Sequence, residues 1–170
     1  MAFLTTPAVD YRDSYLKALS EFQEEGRQKE IASAELASNF TSFVQQLRTQ
    51  ADRNKLEPGQ VPCSEFWLVE GNEYLGRLLL RHELNERLRQ KGGHIGYAIR
   101  PSRRKQGYGK LILKHGLEQA KISGLKRVLL TSDKNNHSSR AIIESNGGIL
   151  EDIIVVEGWP SPVCRYWISL

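Results

Sequence analysis

Apolar side chains recur at three- to four-residue spacing twice within the first fifty positions: Tyr11, Tyr15, Leu19 and Phe22, then Leu36, Phe40, Phe43, Val44 and Leu47. Each set reads as one face of an amphipathic helix. The connector "NKLEPGQVPCS" breaks that pattern with two prolines and a glycine. After it, "EFWLVE" and "EYLGRLLLR" read as strands joined by a tight hairpin at Gly71 and Asn72. "HELNERLRQKGG" is a short helix or loop closed by its glycine pair, and "HIGYAIR" is a strand. A basic loop leads into a helix from about Gly109 to Ser123, stopped by Gly124. The unbroken Val128, Leu129 and Leu130 of "KRVLLT" suit a strand covered on both faces. "SSRAIIESN" is a short helix ended by Gly147 and Gly148, and "ILEDIIVVE" and "CRYWISL" complete the strands. This order predicts a mixed α/β or α+β sheet, with one right-handed βαβ unit between Ile95 and Leu130.

A chain of 170 residues, 39% hydrophobic and 26% charged, fits one globular domain. Such a chain buries about 70% of its unfolded surface without help from a cofactor. No apolar run approaches the roughly 20 residues of a membrane span, and the opening "MAFLTTPAVDYRD" lacks the basic and long apolar segments of a secretory signal. A cytoplasmic protein with no membrane partner is expected. Cys63 and Cys164 then read as two free thiols rather than a bridge.

The net charge of +4 is unevenly spread. Residues 1–86 carry 9 basic and 14 acidic side chains, residues 87–117 carry 9 and 0, and residues 118–170 carry 6 and 6. A diffuse nucleic-acid surface would spread its cations and interleave aromatics. Confinement to one window points to a compact anion and away from nucleic acid.

Within that window lies "RRKQGYGK", Arg103 to Lys110. The helix after it places Gly109, Ile112, Leu113, Gly116, Leu117 and Ala120 on one stripe, which faces the sheet. Packing of that stripe aims the free N–H groups of the first turn at the loop, where unpaired donors and the positive helix end coincide. Gly107 and Gly109 let backbone approach an anion, and Arg103, Arg104, Lys105 and Lys110 add charge. A solvated basic turn is the bland alternative. A Walker A loop is excluded because Leu111 follows Lys110 and position 104 is arginine. A dinucleotide fingerprint fits poorly, since Ile112 stands at its third glycine, although Asp133 ends the next strand.

Arg104, Gly107 and Gly109 spell R-x-x-G-x-G, and here the sequence resembles the GNAT superfamily of N-acetyltransferases. "AIRPSRRKQGYGKLIL" resembles the family's strand, proline corner, pyrophosphate loop and helix start in register, and "NNHSSRAIIESNGG" its second cofactor element. "RHELNE" with "GGHIGY" looks more narrowly like a group of bacterial predicted acetyltransferases. The resemblance implies a mostly antiparallel mixed sheet with a splayed parallel strand pair, flanked by about four helices. It also implies acetyl-CoA as acyl donor, no metal, and an amine acceptor, with a homodimer left open. Residues 94–148 would form the acetyl-CoA core and residues 1–55 a helical acceptor-side segment of a single domain, 1–170.

Residue by residue, the resemblance implies that the backbone of Tyr97, Ala98 and Ile99 pairs with the pantetheine arm. Main-chain donors of Arg104, Lys105, Gln106, Gly107, Tyr108, Gly109 and Lys110 would hold the pyrophosphate. Asn136 matches the asparagine that contacts a pantetheine amide, with Ser139 and Arg140 in reach of the cofactor, although Arg140 also reads as a solvated helix residue. The implied reaction is direct attack of a neutral amine on the thioester. An alkyl amine of pKa about 10.4 is under ~0.1% neutral at pH 7, so a base matters. Candidates are His82, Glu83 and His94, each also explicable as a strand or helix terminus, and the Tyr97 N–H is a candidate oxyanion donor. One departure concerns the leaving thiolate. Ile143 stands where many relatives have a tyrosine acid, leaving Tyr108, Tyr166 or water as substitutes, or a CoA-binding module that transfers nothing. "HELNE" is not a zinc motif, and the three tryptophans read as core or rim, with "EGWPSPVCRYW" a candidate wall of the acceptor pocket. The acceptor itself has no decipherable signature.

Overall fold

The computed structural model describes residues 1–170. Its elements run β1 (Phe3–Thr5), α1 (Arg12–Glu24), α2 (Ser33–Ser38), α3 (Phe40–Thr49), β2 (Cys63–Glu70), β3 (Glu73–Arg81), α4 (Glu86–Gln90), β4 (Ile95–Ile99), α5 (Tyr108–Ile122), β5 (Arg127–Asp133), α6 (His137–Ser145), β6 (Ile149–Ile154) and β7 (Val163–Ser169). The strands form two antiparallel sheets, β1-β2-β3-β4 and β5-β7-β6. No ladder joins β4 to β5, the pair that flanks α5; this is the splay the sequence led us to expect. No helix is long and apolar enough to cross a membrane.

Six α-helices replace the expected four or so. The second N-terminal stripe is divided at Asn39 into α2 and α3, and the "HELNERLRQ" segment closes one short helix, α4, capped by the Asn85 side chain on the Leu88 N–H at 2.9 Å. Strand β1 carries too few residues to show a period, and tertiary pairing with β2 alone creates it.

Alternation along the central strands divides the core between two faces. On one, Tyr15 and Ala18 of α1 and Phe40, Val44 and Leu47 of α3 cover Trp67, Val69 and Tyr74. Tyr15 stacks on Trp67 with centroids 4.9 Å apart, a geometry worth about 0.5–1.5 kcal/mol beyond its buried area. On the other face, Ile112 and Leu113 of α5 and Ile143 of α6 pack on Leu68, Leu78, Leu80 and Ile95. An added Cβ at Gly116 would collide with Leu78, so α5 lies against β3 only because that position is glycine. Both thiols, Cys63 and Cys164, are free.

Candidate active site

The two sheets meet at His94. Its N–H donates to the Leu129 carbonyl at 2.7 Å, and the Leu129 N–H donates to His94 Nδ1 at 2.9 Å. Just before it, the Gly92 N–H donates to Thr131 Oγ1 at 2.9 Å. Gly93 has φ +62°, and a Cβ there would strike the Leu129 carbonyl, so the glycine pair of "KGGH" is what lets β4 leave β5 at this point. Beyond the junction the strands part around a cavity of about 350 Å³, lined by Ile95, Gly96 and Tyr97 on one side and Leu130, Thr131, Ser132 and Asp133 on the other.

The ladder with β3 decides which peptide groups of β4 face that cavity. Arg81 N–H bonds the His94 carbonyl and Arg100 N–H bonds the Leu75 carbonyl, and the register between them pairs Leu79 with Gly96 and Arg77 with Ala98. By antiparallel alternation the even-numbered residues are tied to β3 and the odd ones turn away. Tyr97 therefore presents its backbone groups to the cleft side and Ile99 its N–H, the Ile99 carbonyl accepting from Arg104 Nε at 3.2 Å, whereas Ala98, expected with them, has its own occupied by β3.

At the end of β4 the chain turns through a single 3-10 turn, Pro101–Arg103, and enters α5 over Gly107, whose φ is +87°. The Arg104 N–H, expected in the cradle, donates to the Pro101 carbonyl at 3.3 Å, whereas those of Lys105, Gln106, Gly107, Tyr108, Gly109 and Lys110 donate to no backbone carbonyl. Six consecutive free donors at a helix start form an anion cradle. A Cβ at Gly109 would also meet Cδ1 of Ile142, so the glycine brings α5 close to α6 as well.

The arginines of the loop are committed to carboxylates. Arg103 makes a forked pair with Glu73 at 2.8 and 3.0 Å, and Arg104 another with Glu25 at 2.6 and 2.9 Å. Buried Arg100 donates Nε to Glu21 at 2.7 Å and lies 3.2 Å from Glu73, while Glu21 also accepts from the Ser102 N–H at 3.0 Å. Acids of α1 and of the β2–β3 hairpin thus fix the corner from which the loop springs. Of the four cations expected to supply free charge, only Lys105 and Lys110 make no ion pair.

Helix α6 brings its N-terminus to the cleft. Asn136 Oδ1 caps the helix by accepting from the Ser139 N–H at 3.1 Å, and Asn136, Ser139 and Ile143 all line the cavity. Arg140 turns away, donating Nε to Tyr166 Oη at 2.9 Å and Nη1 to the Lys134 carbonyl at 3.2 Å. Tyr166 Oη in turn donates to Glu144 at 2.8 Å, and Tyr108 Oη donates to Glu70 at 3.0 Å. Both phenols considered as stand-ins for the missing tyrosine are thereby engaged elsewhere. Tyr97, from β4, reaches over the same ground: its hydroxyl lies beside Ser139, is buried, and has no hydrogen-bond partner. Burial raises its pKa, keeping the proton on.

The three basic candidates fall outside the cleft or lack a free lone pair. His94 is buried, with Nδ1 occupied by Leu129, so its remaining nitrogen carries the proton of the neutral ring. Burial, helped by Arg89, Arg127 and Arg81, lowers its pKa to about 4. His82 Nε2 lies 2.7 Å from Ser64 Oγ and Glu83 pairs with Arg53; neither lines the cavity. Asp133, which the sequence offered only as a decoy, is the carboxylate in the cleft, and it accepts from Trp159 Nε1 at 2.7 Å. Trp159 belongs to the "EGWPSPVCRYW" segment and does line the cavity, beside Lys91, whose Nζ sits 3.2 Å from its ring centre. Arg81, the first residue of "RHELNE", is a further wall residue that the sequence did not single out.

The profile of the acetyltransferase (GNAT) family matches residues 24–147. No curated protein sequence is significantly similar to the chain. Among solved structures, Mycobacterium smegmatis RimJ in complex with CoA-disulfide superposes with a TM-score of 0.73 at 18% identity, covering 99% of this chain and 81% of that one. The Salmonella typhimurium acetyltransferase that modifies the N-terminal serine of ribosomal protein L7/L12 gives 0.68 at 16%, covering 99% and 95%. The microcin C7 self-immunity acetyltransferase MccE, solved with acetyl-CoA and AMP, gives 0.69 at 16%, covering 99% and 92%. At these identities the likeness is one of fold, whereas the profile spans most of the sequence. The chain belongs to the GNAT family of acetyltransferases.

Proposed function

We propose that this acetyltransferase moves the acetyl group of acetyl-CoA to a primary amine by direct attack on the thioester. The observation that carries the reading is the run of free N–H groups from Lys105 to Lys110, at the end of a strand whose outer edge is open. A pyrophosphate fits the run, and an extended amide-bearing arm fits the edge at Tyr97 and Ile99. Residues 94–148 then act as the donor-binding core and residues 1–55 as the acceptor-side cover. The "RHELNE" and "GGHIGY" motifs, which resemble those of bacterial acetyltransferases, support the same reading.

Bound acetyl-CoA supplies an activated acyl carbon; the chain's residues orient it and manage charge. The Tyr97 N–H, turned to the cleft, is suited to donate to the thioester oxygen as charge develops there. Nδ2 of Asn136, whose Oδ1 is spent on the cap, is left to hold the arm. The Tyr97 hydroxyl takes the place of the phenol lost at Ile143 and donates to the departing thiolate. None of His82, Glu83 and His94 is assigned as base, because none offers a free lone pair to the cleft.

Calorimetry with acetyl-CoA, followed by thiol release over an amine panel, tests the proposal. Micromolar binding and acceptor-dependent thiol release are expected. Absence of binding would overturn the donor site, and binding without release over the whole panel would leave a CoA-binding module.

A further inference from the structure

On the α1–α3 face of the sheet the cavity wall carries cations that make no ion pair. Arg81 leads this group. Its Nη1 donates to the Gly92 and Gly93 carbonyls at 3.2 and 3.1 Å and lies 3.7 Å from the point where a Gly96 Cβ would stand. Its guanidinium therefore sits over the middle of β4, one residue from the Tyr97 N–H. Arg81 lines both the cleft and a second cavity of about 230 Å³, which Arg87 also lines. Lys91 borders the cleft against Trp159. Arg77, on the same face as Arg81, lines neither cavity and lies close enough to Glu65 to oppose the rise that burial causes in its pKa, so it is not one of the cleft cations. Arg81, Arg87 and Lys91 make no ion pair, in contrast to Arg100, Arg103, Arg104, Arg140 and Arg165.

The nearby carboxylates do not answer them. Glu83 is paired with Arg53. Glu65 is buried with its oxygen accepting from Trp67 Nε1 at 2.9 Å. Asp133 faces them across the cleft from the opposite strand, accepting from Trp159 Nε1 and making no ion pair with any of them. The pyrophosphate cradle does not account for the cations either, because no residue of 104–110 lines either cavity. Arg27 also lines the cleft without an ion pair, its guanidinium 5.3 Å from the centre of the Phe22 ring that Arg104 shares.

A partly buried guanidinium without a counter-ion next to a reaction centre repels an ammonium and attracts an anion. We infer that the acceptor is an amine carrying a carboxylate or phosphate near its nitrogen, and that Arg81, with Lys91 and Arg87, holds that anion. The inference rests on the acetyl-transfer reading and names its acceptor class. The same cations favour the neutral, nucleophilic form of the amine.

Matched acceptors that differ only in charge decide it. The peptide Ala-Asp-Asp is compared with Ala-Asn-Asn, and O-phosphoethanolamine with ethanolamine, so that a peptide source and a small-molecule source are separate arms. The anionic member should lead in kcat/KM by at least about tenfold in one arm, the ratio that one charge-assisted hydrogen bond supports. That lead should shrink in Arg81→Gln and Lys91→Gln while acetyl-CoA affinity stays at the wild-type value. Lys91→Gln, on a partly exposed side chain, keeps the test alive if Arg81→Gln fails to fold. Equal rates, or preference for the neutral member, would overturn the inference. If no acceptor releases thiol, calorimetric binding of the same pairs to the CoA-loaded protein decides it instead: preference for the anionic member sustains it and indifference ends it. Failure to bind CoA at all would count against the donor reading and is read separately.

Discussion

His94 and Leu129 hold each other in both directions, main chain to main chain at 2.7 Å and main chain to imidazole at 2.9 Å. The pair is the hinge of the cleft, and it works only while Nδ1 is unprotonated. The folded-state pKa of about 4 lies below the ordinary 6.5. A base depressed in this way contributes stability above pH 6.5 that is lost as pH falls toward 4, because protons then bind the unfolded chain preferentially. Urea unfolding between pH 7 and 4 should show that loss. His94→Gln should start less stable and lose less over the same interval; an unchanged slope would argue against the pair.

Gly93 lies at the same hinge. With φ +62° and the Leu129 carbonyl in the way of any side chain, Gly93→Ala should cost about 2 kcal/mol or more, read as a lower urea midpoint at constant m.

Gly107 isolates the cradle from the fold. It has positive φ but open space around it, so Gly107→Glu should cost about 1 kcal/mol in backbone strain while setting a carboxylate among the six free N–H groups. Loss of acetyl-CoA binding in a folded protein is the expected calorimetric result. Retained affinity would mean that the loop holds something else.

For Tyr97, stability and turnover should move apart. Its hydroxyl is buried without a partner, so Tyr97→Phe removes an unsatisfied group and should leave the urea midpoint unchanged or raised. Turnover should fall by about 10²-fold, the lower range for a lost proton donor. Tyr166→Phe and Tyr108→Phe, which break bonds to Glu144 and Glu70, should affect stability more than turnover.

The ion pairs of the corner should rank by burial. Glu21→Ala strips a partner from Arg100, whose side chain is 11% exposed, and should cost about 2 kcal/mol, tempered by Glu73. Glu25→Ala removes a surface pair and should cost under about 1 kcal/mol. Parallel denaturation curves for the two variants give the comparison directly.

Local signals in the sequence determined the helices and strands, the basic loop and the family. Period and turn chemistry are read over a few neighbouring residues, and the R-x-x-G-x-G loop acts through its own backbone. Division of the second N-terminal stripe at Asn39 and the three-residue β1 were not legible, since a short break and a short edge strand have no period. Only the tertiary structure decided what the charges do. Arg103 and Arg104 look like free cations in the string and are spent on Glu73 and Glu25, residues far away along the chain. Arg81 looks like the end of a strand and instead stands unpaired over Gly96. His94 looks like a base and is a strut, because one hydrogen bond from another strand takes its lone pair. Such roles depend on which side chains meet across the sheet, and electrostatic partners 30 and 79 positions apart leave no mark in local spacing.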